Sequence, residues 1–206
     1  MSQMQIHNVE QRTPEWHALK LGLPSGSTFS KIVQPVSGEP VKDSTTFVNQ
    51  LALELVTGEV EKSGFDNYHM QRGRELEPEA IAWYELVYGK VVEPIGFVTN
   101  YGLGFSPDGF IKGEKGFIEV KSVCPKVQLE CLEAGGVMPR KHYPQVQGGL
   151  YVTGYEYCDF ISYSTVFMPF CVKIYRDEDY IAKLAKESKI ILSKIEARLL
   201  QIKKYI

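Results

Sequence analysis

The chain has 206 residues, of which 44% are hydrophobic and 23% are charged. These are ordinary values for a globular domain that can bury a sizeable core, so disorder, collagen and coiled coil are excluded for the chain as a whole. The formal net charge of −2 gives no global field toward nucleic acid or membrane, although it leaves room for a local basic patch. The apolar runs are far shorter than the roughly 20 residues that span a bilayer.

The ends and the cysteines indicate the cellular compartment. The polar N-terminus has no basic stretch followed by an apolar segment, so a secretory signal is not expected. The four cysteines at 124, 131, 158 and 171 form no CxxC pair. We therefore expect buried, reduced thiols and a cytosolic protein without a membrane anchor.

Helix signals dominate the first half of the chain. Four helices are predicted there: a short one from Pro14, a short one from Ser25 or Ser27, and longer ones over about 45–56 and 73–88. Residues 59–72 are polar and irregular in pattern. In the last of these helices, apolar residues at helical spacing are expected to face inward: Leu76, Ala80, Trp83 and Val87.

Strand signals dominate the second half. Strands are predicted over 91–93, 95–100, around 105, and over 109–112, 116–123, 157–164 and 170–176, with a helix over 144–152 and a last helix from 177. This order predicts an α/β fold with a central mixed β-sheet flanked by helices. We expect a single domain over 1–206: an N-terminal helical part about 12–90, a sheet core about 91–176 and a C-terminal helix about 177–206.

One predicted hairpin collects charged residues. The turn at 113–116 joins its two strands and can carry Asp108 beside Glu119. Glu119 and Lys121 share one face of their strand, while Val120 points to the core. The apolar residues around this pair indicate a central strand. The Pro-Asp-Gly sequence alone is typical of an ordinary turn, and Glu-Val-Lys alone is typical of a half-solvated strand. Both sequences in this order on one predicted hairpin are a far more specific signal of a functional site.

These residue types suit metal-assisted phosphoryl chemistry. Mg²⁺ prefers oxygen ligands and keeps several waters, so two carboxylates hold it without filling its shell. The bound ion polarises a phosphoryl oxygen and makes a bound water more acidic. A neighbouring lysine can orient or deprotonate that water and stabilise negative charge in the transition state.

Asp108, Glu119 and Lys121 resemble the PD-(D/E)xK nuclease motif, and the wider pattern resembles the phage lambda exonuclease or YqaJ viral recombinase family. Four blocks between about 15 and 153 carry the resemblance: 16–22 with 25–27, 73–77, 106–109 with 119–121, and 143–147 with 151–153. The resemblance implies a restriction-endonuclease-like core that forms a single nuclease domain.

The resemblance also implies roles for particular residues. Asp108 and Glu119 would be metal ligands together with the backbone carbonyl of Val120, and Lys121 would serve the attacking water. Glu77 would be a further acidic member of the metal site.

Gln145 matches a glutamine that sits beside the active site in this family, whereas Gln147 is expected to point elsewhere. For both Glu77 and Gln145, the alternative is an ordinary solvated helix face.

A second implied feature is a pocket for a 5′-phosphate. Lys20 and Ser27 occupy the positions of the basic residue and the serine that bind it, and Ser106 would contribute. Lys20 replaces an arginine and therefore lacks the bidentate fork. Lys126 is a candidate phosphate contact, and Met70 a candidate wedge between the strands at a DNA end. An exposed lysine and a core or surface methionine are the alternatives.

The resemblance implies a Mg²⁺-dependent exonuclease, with Mn²⁺ as a possible substitute and two ions per active site. It would start at ends of double-stranded DNA, degrade 5′ to 3′ and leave 3′ overhangs. It implies a homotrimeric ring, a single-strand annealing protein as partner in recombination, and phage or prophage origin in a bacterial cytoplasm. The alternatives are an endonuclease or repair nuclease of the same fold, and a non-catalytic DNA-end-binding module. Clustered carboxylates argue against pure binding because they repel phosphate.

Overall fold

The computed structural model describes residues 3–60 and 68–206 of the chain. The strands in these residues are β1 (Gln5–His7), β2 (Val92–Glu93), β3 (Phe97–Asn100), β4 (Leu103–Phe105), β5 (Gly109–Ile111), β6 (Gly116–Ser122), β7 (Tyr157–Tyr163) and β8 (Phe170–Tyr175). The α-helices are α1 (Pro14–Lys20), α2 (Thr45–Thr57), α3 (Tyr68–Tyr88), α4 (Pro125–Glu133), α5 (Tyr143–Thr153) and α6 (Glu178–Ile202). Short 3₁₀ helices lie at Gly26–Lys31, Arg140–His142 and Lys203–Tyr205.

The main sheet has five strands in the order β2-β5-β6-β7-β8. Its β6–β7 pair is parallel and its other pairs are antiparallel. A parallel pair needs a long crossover, which α4 and α5 supply. The predicted mixed sheet with flanking helices is therefore confirmed. A separate antiparallel sheet, β1-β3-β4, was not predicted, because its first strand is only three residues long and has no strong pattern.

The central strand β6 separates two apolar layers. Ile118 and Val120 belong to the layer that contains Tyr84 of α3. Phe117 faces the opposite layer, formed with α2, α5 and α6. Because side chains alternate along a strand, Glu119 lies on the same face as Phe117, the face that α5 covers. The position of β6 at the centre of its sheet agrees with the prediction from its apolar flanks.

Helix α3 ends at Tyr88 as predicted, but it differs from its prediction in its first residue and in the residue that its last turns bury. It begins at Tyr68, so residues 68–72 are helical and not irregular. Val87 does not face inward, since it is 55% exposed, and the fully buried residue of the last turns is Tyr84. The Tyr84 hydroxyl donates a 2.6 Å hydrogen bond to Asp159 on β7. A hydroxyl-bearing ring is stable at that depth only with such a partner, which the local spacing does not reveal.

Two further local assignments were incomplete. Helix α4 was not predicted; it begins at Pro125 and buries Gln128, whose amide donates to the Met168 carbonyl at 2.8 Å. The short helix predicted from Ser25 or Ser27 is a 3₁₀ helix over Gly26–Lys31. The four cysteines are free thiols, with Cys131 and Cys158 buried and the other two partly exposed. Across the described residues, none of the helices combines the length and apolar character needed to cross a bilayer.

The close approach of α5 to its neighbours depends on two adjacent glycines. A Cβ on Gly148 would lie 2.1 Å from the ring of Phe29, and one on Gly149 would lie 2.5 Å from the ring of Phe105. Both phenylalanines are fully buried, so neither ring can withdraw into solvent. The pair of glycines thus sets how closely α5, which carries Gln145, packs on the core.

We expect Gly148→Ala to lower the free energy of unfolding by about 1–3 kcal/mol, because it overpacks this contact. Urea denaturation of the metal-free protein measures the loss. Gly73→Ala is the matched control, since a Cβ there meets nothing within 4 Å. The control should be neutral or stabilising by up to about 1 kcal/mol. Equal stability of Gly148→Ala and wild type would contradict the packing interpretation.

Candidate active site

The hairpin β5–β6 brings the two predicted acids together. Its register pairs Gly109 with Ile118, so Asp108 lies beside the strand segment that contains Glu119. The Asp108 Oδ2 atom accepts a 2.6 Å hydrogen bond from the backbone N–H of Val120. Glu119 is 1% exposed, in spite of its charge. Acidic side chains are almost never buried to this extent without partners.

Both hydrogen-bond donors to the Glu119 side chain bind the same carboxylate oxygen. Lys121 Nζ and Gln145 Nε2 donate to Glu119 Oε1 at 2.5 and 2.6 Å. The other oxygen, Oε2, is buried and has no hydrogen-bond partner among the described residues. A buried carboxylate oxygen without a partner carries a desolvation cost of about 1–3 kcal/mol or more. A cation bound beside Oε2 would remove that cost.

The acid pair is electrostatically unfavourable by itself. Burial and the neighbouring charges of Glu119 and Glu77 raise the pKa of Asp108 well above its usual value, although Lys121 opposes them. Burial lowers the pKa of Lys121, but Glu119 and Asp108 outweigh it, so the net shift is upward and the side chain is an ammonium. One lysine therefore faces two buried carboxyl groups.

This donor set fits a divalent metal ion. The two carboxylates, one of which has a buried oxygen without a partner in the described residues, are hard ligands of the kind that Mg²⁺ prefers, and the carbonyl of Val120 is the further ligand that the resemblance implies. A divalent cation would also relieve the repulsion that raises the pKa of Asp108.

Glu77 lies near this pair without completing a three-carboxylate site. Its charge raises the pKa of Asp108, yet its own Oε2 atom is 3.1 Å from Nη2 of Arg12. Within residues 3–60 and 68–206, no three acidic, histidine or cysteine side chains are arranged to hold a metal ion. The Glu77 side chain is 25% exposed, so it lies at the margin of the site.

The two glutamines of α5 point in different directions. Gln145 contacts Glu119, whereas Gln147 is buried, donates to the Tyr175 carbonyl at 2.9 Å and accepts from the Asp177 N–H at 2.9 Å. The expectation that Gln147 points elsewhere agrees with this geometry. Gln147 instead connects α5 to the start of α6.

Two residues near the site were not singled out from the sequence. Arg12 is one, and His142 is the other. Burial, followed by the charges of Lys121 and Lys141, lowers the pKa of His142 to about 3, so its imidazole is neutral at physiological pH. Its ring packs 5.5 Å from that of Phe160. No motif marks His142, since only the fold brings it close to Lys121.

The predicted phosphate pocket is partly assembled around Trp16. Lys20 Nζ lies 3.9 Å from the centroid of the Trp16 ring, a cation–π contact. Ser106 Oγ accepts from the indole N–H of Trp16 at 3.1 Å and donates to the Gly96 carbonyl at 2.5 Å. Burial lowers the pKa of Lys20, and the charge of Glu54 partly opposes this. Ser27 is exposed on the 3₁₀ helix Gly26–Lys31.

The other two predicted DNA contacts lie on two other helices. Lys126 is exposed on α4, with its Nζ 4.0 Å from Glu130. Met70 falls in the first turn of α3, and its side chain is outside the described part of the structure.

Comparison with known proteins places these features in a wider context. The model of the YqaJ-like viral recombinase domain matches residues 15–156. The structure is similar to the crystal structure of an alkaline exonuclease, LHK-Exo, from Laribacter hongkongensis, with 30% identity and a TM-score of 0.81. The match covers 94% of this chain and 97% of that chain, and LHK-Exo in complex with dAMP matches equally well.

A more distant likeness concerns the fold alone. A phage-related exonuclease from Haemophilus somnus 129PT has 15% identity and a TM-score of 0.66, over 87% of this chain and 96% of that one. A comparison with curated protein sequences found no match.

Proposed function

Because the chain belongs to the YqaJ-like viral recombinase family, we propose that it is a metal-dependent exonuclease that acts at the ends of double-stranded DNA. In this proposal the enzyme degrades the 5′-ended strand with Mg²⁺, two ions per site, and leaves a 3′ overhang. The likeness over nearly the full length to an alkaline exonuclease supports a nuclease.

One observation carries the proposal: two carboxyl groups and a lysine meet on one hairpin, and a buried oxygen of Glu119 has no partner among the described residues. A binding module would gain nothing from buried carboxylates that repel both each other and DNA phosphate. In a nuclease, the same arrangement would hold the metal ions.

The proposed chemistry divides among the residues as follows. Asp108, Glu119 and the Val120 carbonyl, with Glu77 as a further ligand, would hold the metal ions, and bound ions would supply Lewis-acid chemistry that makes a water more acidic and polarises the scissile phosphate. Lys121, an ammonium in the free protein, orients the water and stabilises charge that develops on the phosphate. Gln145 fixes Glu119 through its 2.6 Å hydrogen bond and so preserves the geometry of the ligand.

We propose that Lys20, Ser27 and Ser106 bind a 5′-phosphate at the DNA end. Lys20 is held against Trp16, and the hydroxyl of Ser106 bonds the same indole, so Trp16 links the two side chains. The lower pKa of Lys20 reflects burial, and an anion nearby would favour its charged form. Lys126 remains a candidate phosphate contact, and Met70 a candidate wedge between the strands at the DNA end.

The test compares nucleotide release from two kinds of DNA end. Wild type in Mg²⁺ should release nucleotides faster from a linear duplex with 5′-phosphate than from one with 5′-hydroxyl, and should leave covalently closed DNA intact. Lys20→Ala should reduce the preference for 5′-phosphate by about tenfold, since a charge-assisted hydrogen bond is lost. Its activity on the 5′-hydroxyl end should change little. Degradation of closed circles would favour an endonuclease, and an unchanged phosphate preference would remove Lys20 from the pocket.

Further proposals concern assembly and context. We propose a homotrimeric ring around DNA, a single-strand annealing protein as the recipient of the 3′ overhang, and the cytoplasm of a bacterial host as the site of action of a phage or prophage protein. Residues 1–206 would act as one nuclease domain. Sedimentation equilibrium tests the ring, because a monomeric mass at micromolar concentration would contradict it.

A further inference from the structure

Arg12 is bound to a residue of the proposed metal site, although it lies outside the matched range of 15–156. Its Nη2 atom is 3.1 Å from Glu77 Oε2, across 65 residues of sequence. Glu77 is the acid that would join Asp108 and Glu119, yet in this structure it is paired with Arg12 and no three-member acidic group is formed in the described residues.

The backbone at Arg12 indicates that this contact is built into the fold. Its φ is 72°, in the left-handed region that residues other than glycine rarely adopt. Such conformations persist only when the surroundings enforce them, and they are concentrated at functional sites. Arg12 is therefore held by more than its own ion pair.

The residues on either side supply that restraint. The Gln11 amide donates to the carbonyls of Ile95 and Pro107 at 2.8 and 2.9 Å, and Pro107 directly precedes Asp108. On the other side, Thr13 Oγ1 accepts from the N–H of Trp16 and caps α1. The segment is thus fixed to the loop that carries the metal ligand Asp108, with Arg12 directed at Glu77.

We infer that Arg12 is a positioning residue that withholds Glu77 from the metal site until the metal ion arrives. This inference rests on the proposed function. The Arg12 side chain is 49% exposed, so its ion pair is weak enough for a divalent ion to break.

The test measures Mn²⁺ binding to the intact protein without DNA, by the loss of the free-ion signal in electron paramagnetic resonance. Arg12→Gln should bind Mn²⁺ about two- to fivefold more tightly than wild type, because the ion no longer competes with the guanidinium for Glu77. Arg12→Lys keeps the charge and should stay within about twofold of wild type. Lys183→Gln removes an ion pair with Glu39 whose lysine is 46% exposed, close to the exposure of Arg12, and both residues are far from the candidate ligands in sequence, so it is the matched control.

Repeating the measurement in a protein that carries Glu77→Gln separates the effect of the Arg12–Glu77 ion pair from the effect of removing a positive charge near the metal site. There, Arg12→Gln should no longer change the affinity for Mn²⁺. An equal gain in both backgrounds, or unchanged or weaker binding by Arg12→Gln alone, would overturn the inference. A wild type that binds no Mn²⁺ and releases no nucleotides would overturn the proposed function itself, whereas an active wild type with an unaffected Arg12→Gln overturns only the role of Arg12.

Discussion

Lys121→Ala is expected to lower nucleotide release from linear duplex DNA by about 10²- to 10⁴-fold, the range for loss of a group that assists proton transfer or stabilises charge in the transition state. The Lys121 ammonium lies 2.5 Å from Glu119, and its positive charge opposes the rise in the pKa of Asp108. The loss should appear in kcat at saturating Mg²⁺, since the carboxylates proposed as metal ligands remain.

A matched lysine separates this effect from a general loss of positive charge. Lys112 lies just after β5, and its side chain is 65% exposed, so Lys112→Ala should retain nearly full activity. DNA binding by Lys121→Ala in Ca²⁺, measured by fluorescence anisotropy, should stay within a few-fold of wild type. Substantial activity in Lys121→Ala would show that hydrolysis does not need this ammonium, and the assigned role would be wrong.

Asp108→Asn is expected to abolish metal-dependent activity and to stabilise the metal-free protein. The carboxyl group is buried beside Glu119, and its raised pKa means that ionisation opposes folding at neutral pH. Asparagine removes the charge and can still accept from the Val120 N–H. A shift of one pKa unit is worth about 1.4 kcal/mol, and each kcal/mol raises Tm by about 2–4 °C in a chain of this size.

The pH dependence of stability is expected to show the same unfavourable effect of the ionised Asp108. A carboxyl group with a raised folded-state pKa binds more protons in the native state, so its contribution to stability improves as the pH falls between the folded and unfolded pKa values. Asp108→Asn should flatten that part of the curve for the metal-free protein. Mg²⁺ should raise the Tm of wild type but not of Asp108→Asn.

Glu156→Gln, at an exposed ion pair with Lys115, serves as the control and should keep both activity and the Tm response to Mg²⁺. A lower Tm for metal-free Asp108→Asn than for wild type would contradict the repulsion between the two acids.

The parts of the site that were predictable are local in sequence. Asp108, Glu119 and Lys121 lie on one hairpin, and strand alternation plus a short turn is enough to bring them together. Arg12 could not be predicted in the same way. Its contact with Glu77 depends on a left-handed backbone conformation, which a sequence pattern does not report for arginine. His142 was missed for a related reason, because its proximity to Lys121 comes from the path of the chain into α5.

The layers of the fold were predictable where periodicity is strong, as in β6 and α6. Where the burial of a residue depends on a partner that is distant in sequence, periodicity does not predict it. Tyr84 can be buried because Asp159 accepts a hydrogen bond from its hydroxyl. Gln128 can be buried because carbonyls of strand β7 and of the loop after it accept hydrogen bonds from its amide. Neither partner is close in sequence.

The crossover between β6 and β7 has a consequence for biosynthesis. The acid pair and Lys121 are complete once the hairpin has been translated, but Gln145 arrives with α5, and β6 acquires its parallel neighbour only when Tyr157–Tyr163 has been synthesised. Chains are made at about 5–20 residues per second, so a nascent protein carries the hairpin for some seconds without its supports. The proposed nuclease activity is thus expected only in chains in which Tyr157–Tyr163 has already been synthesised.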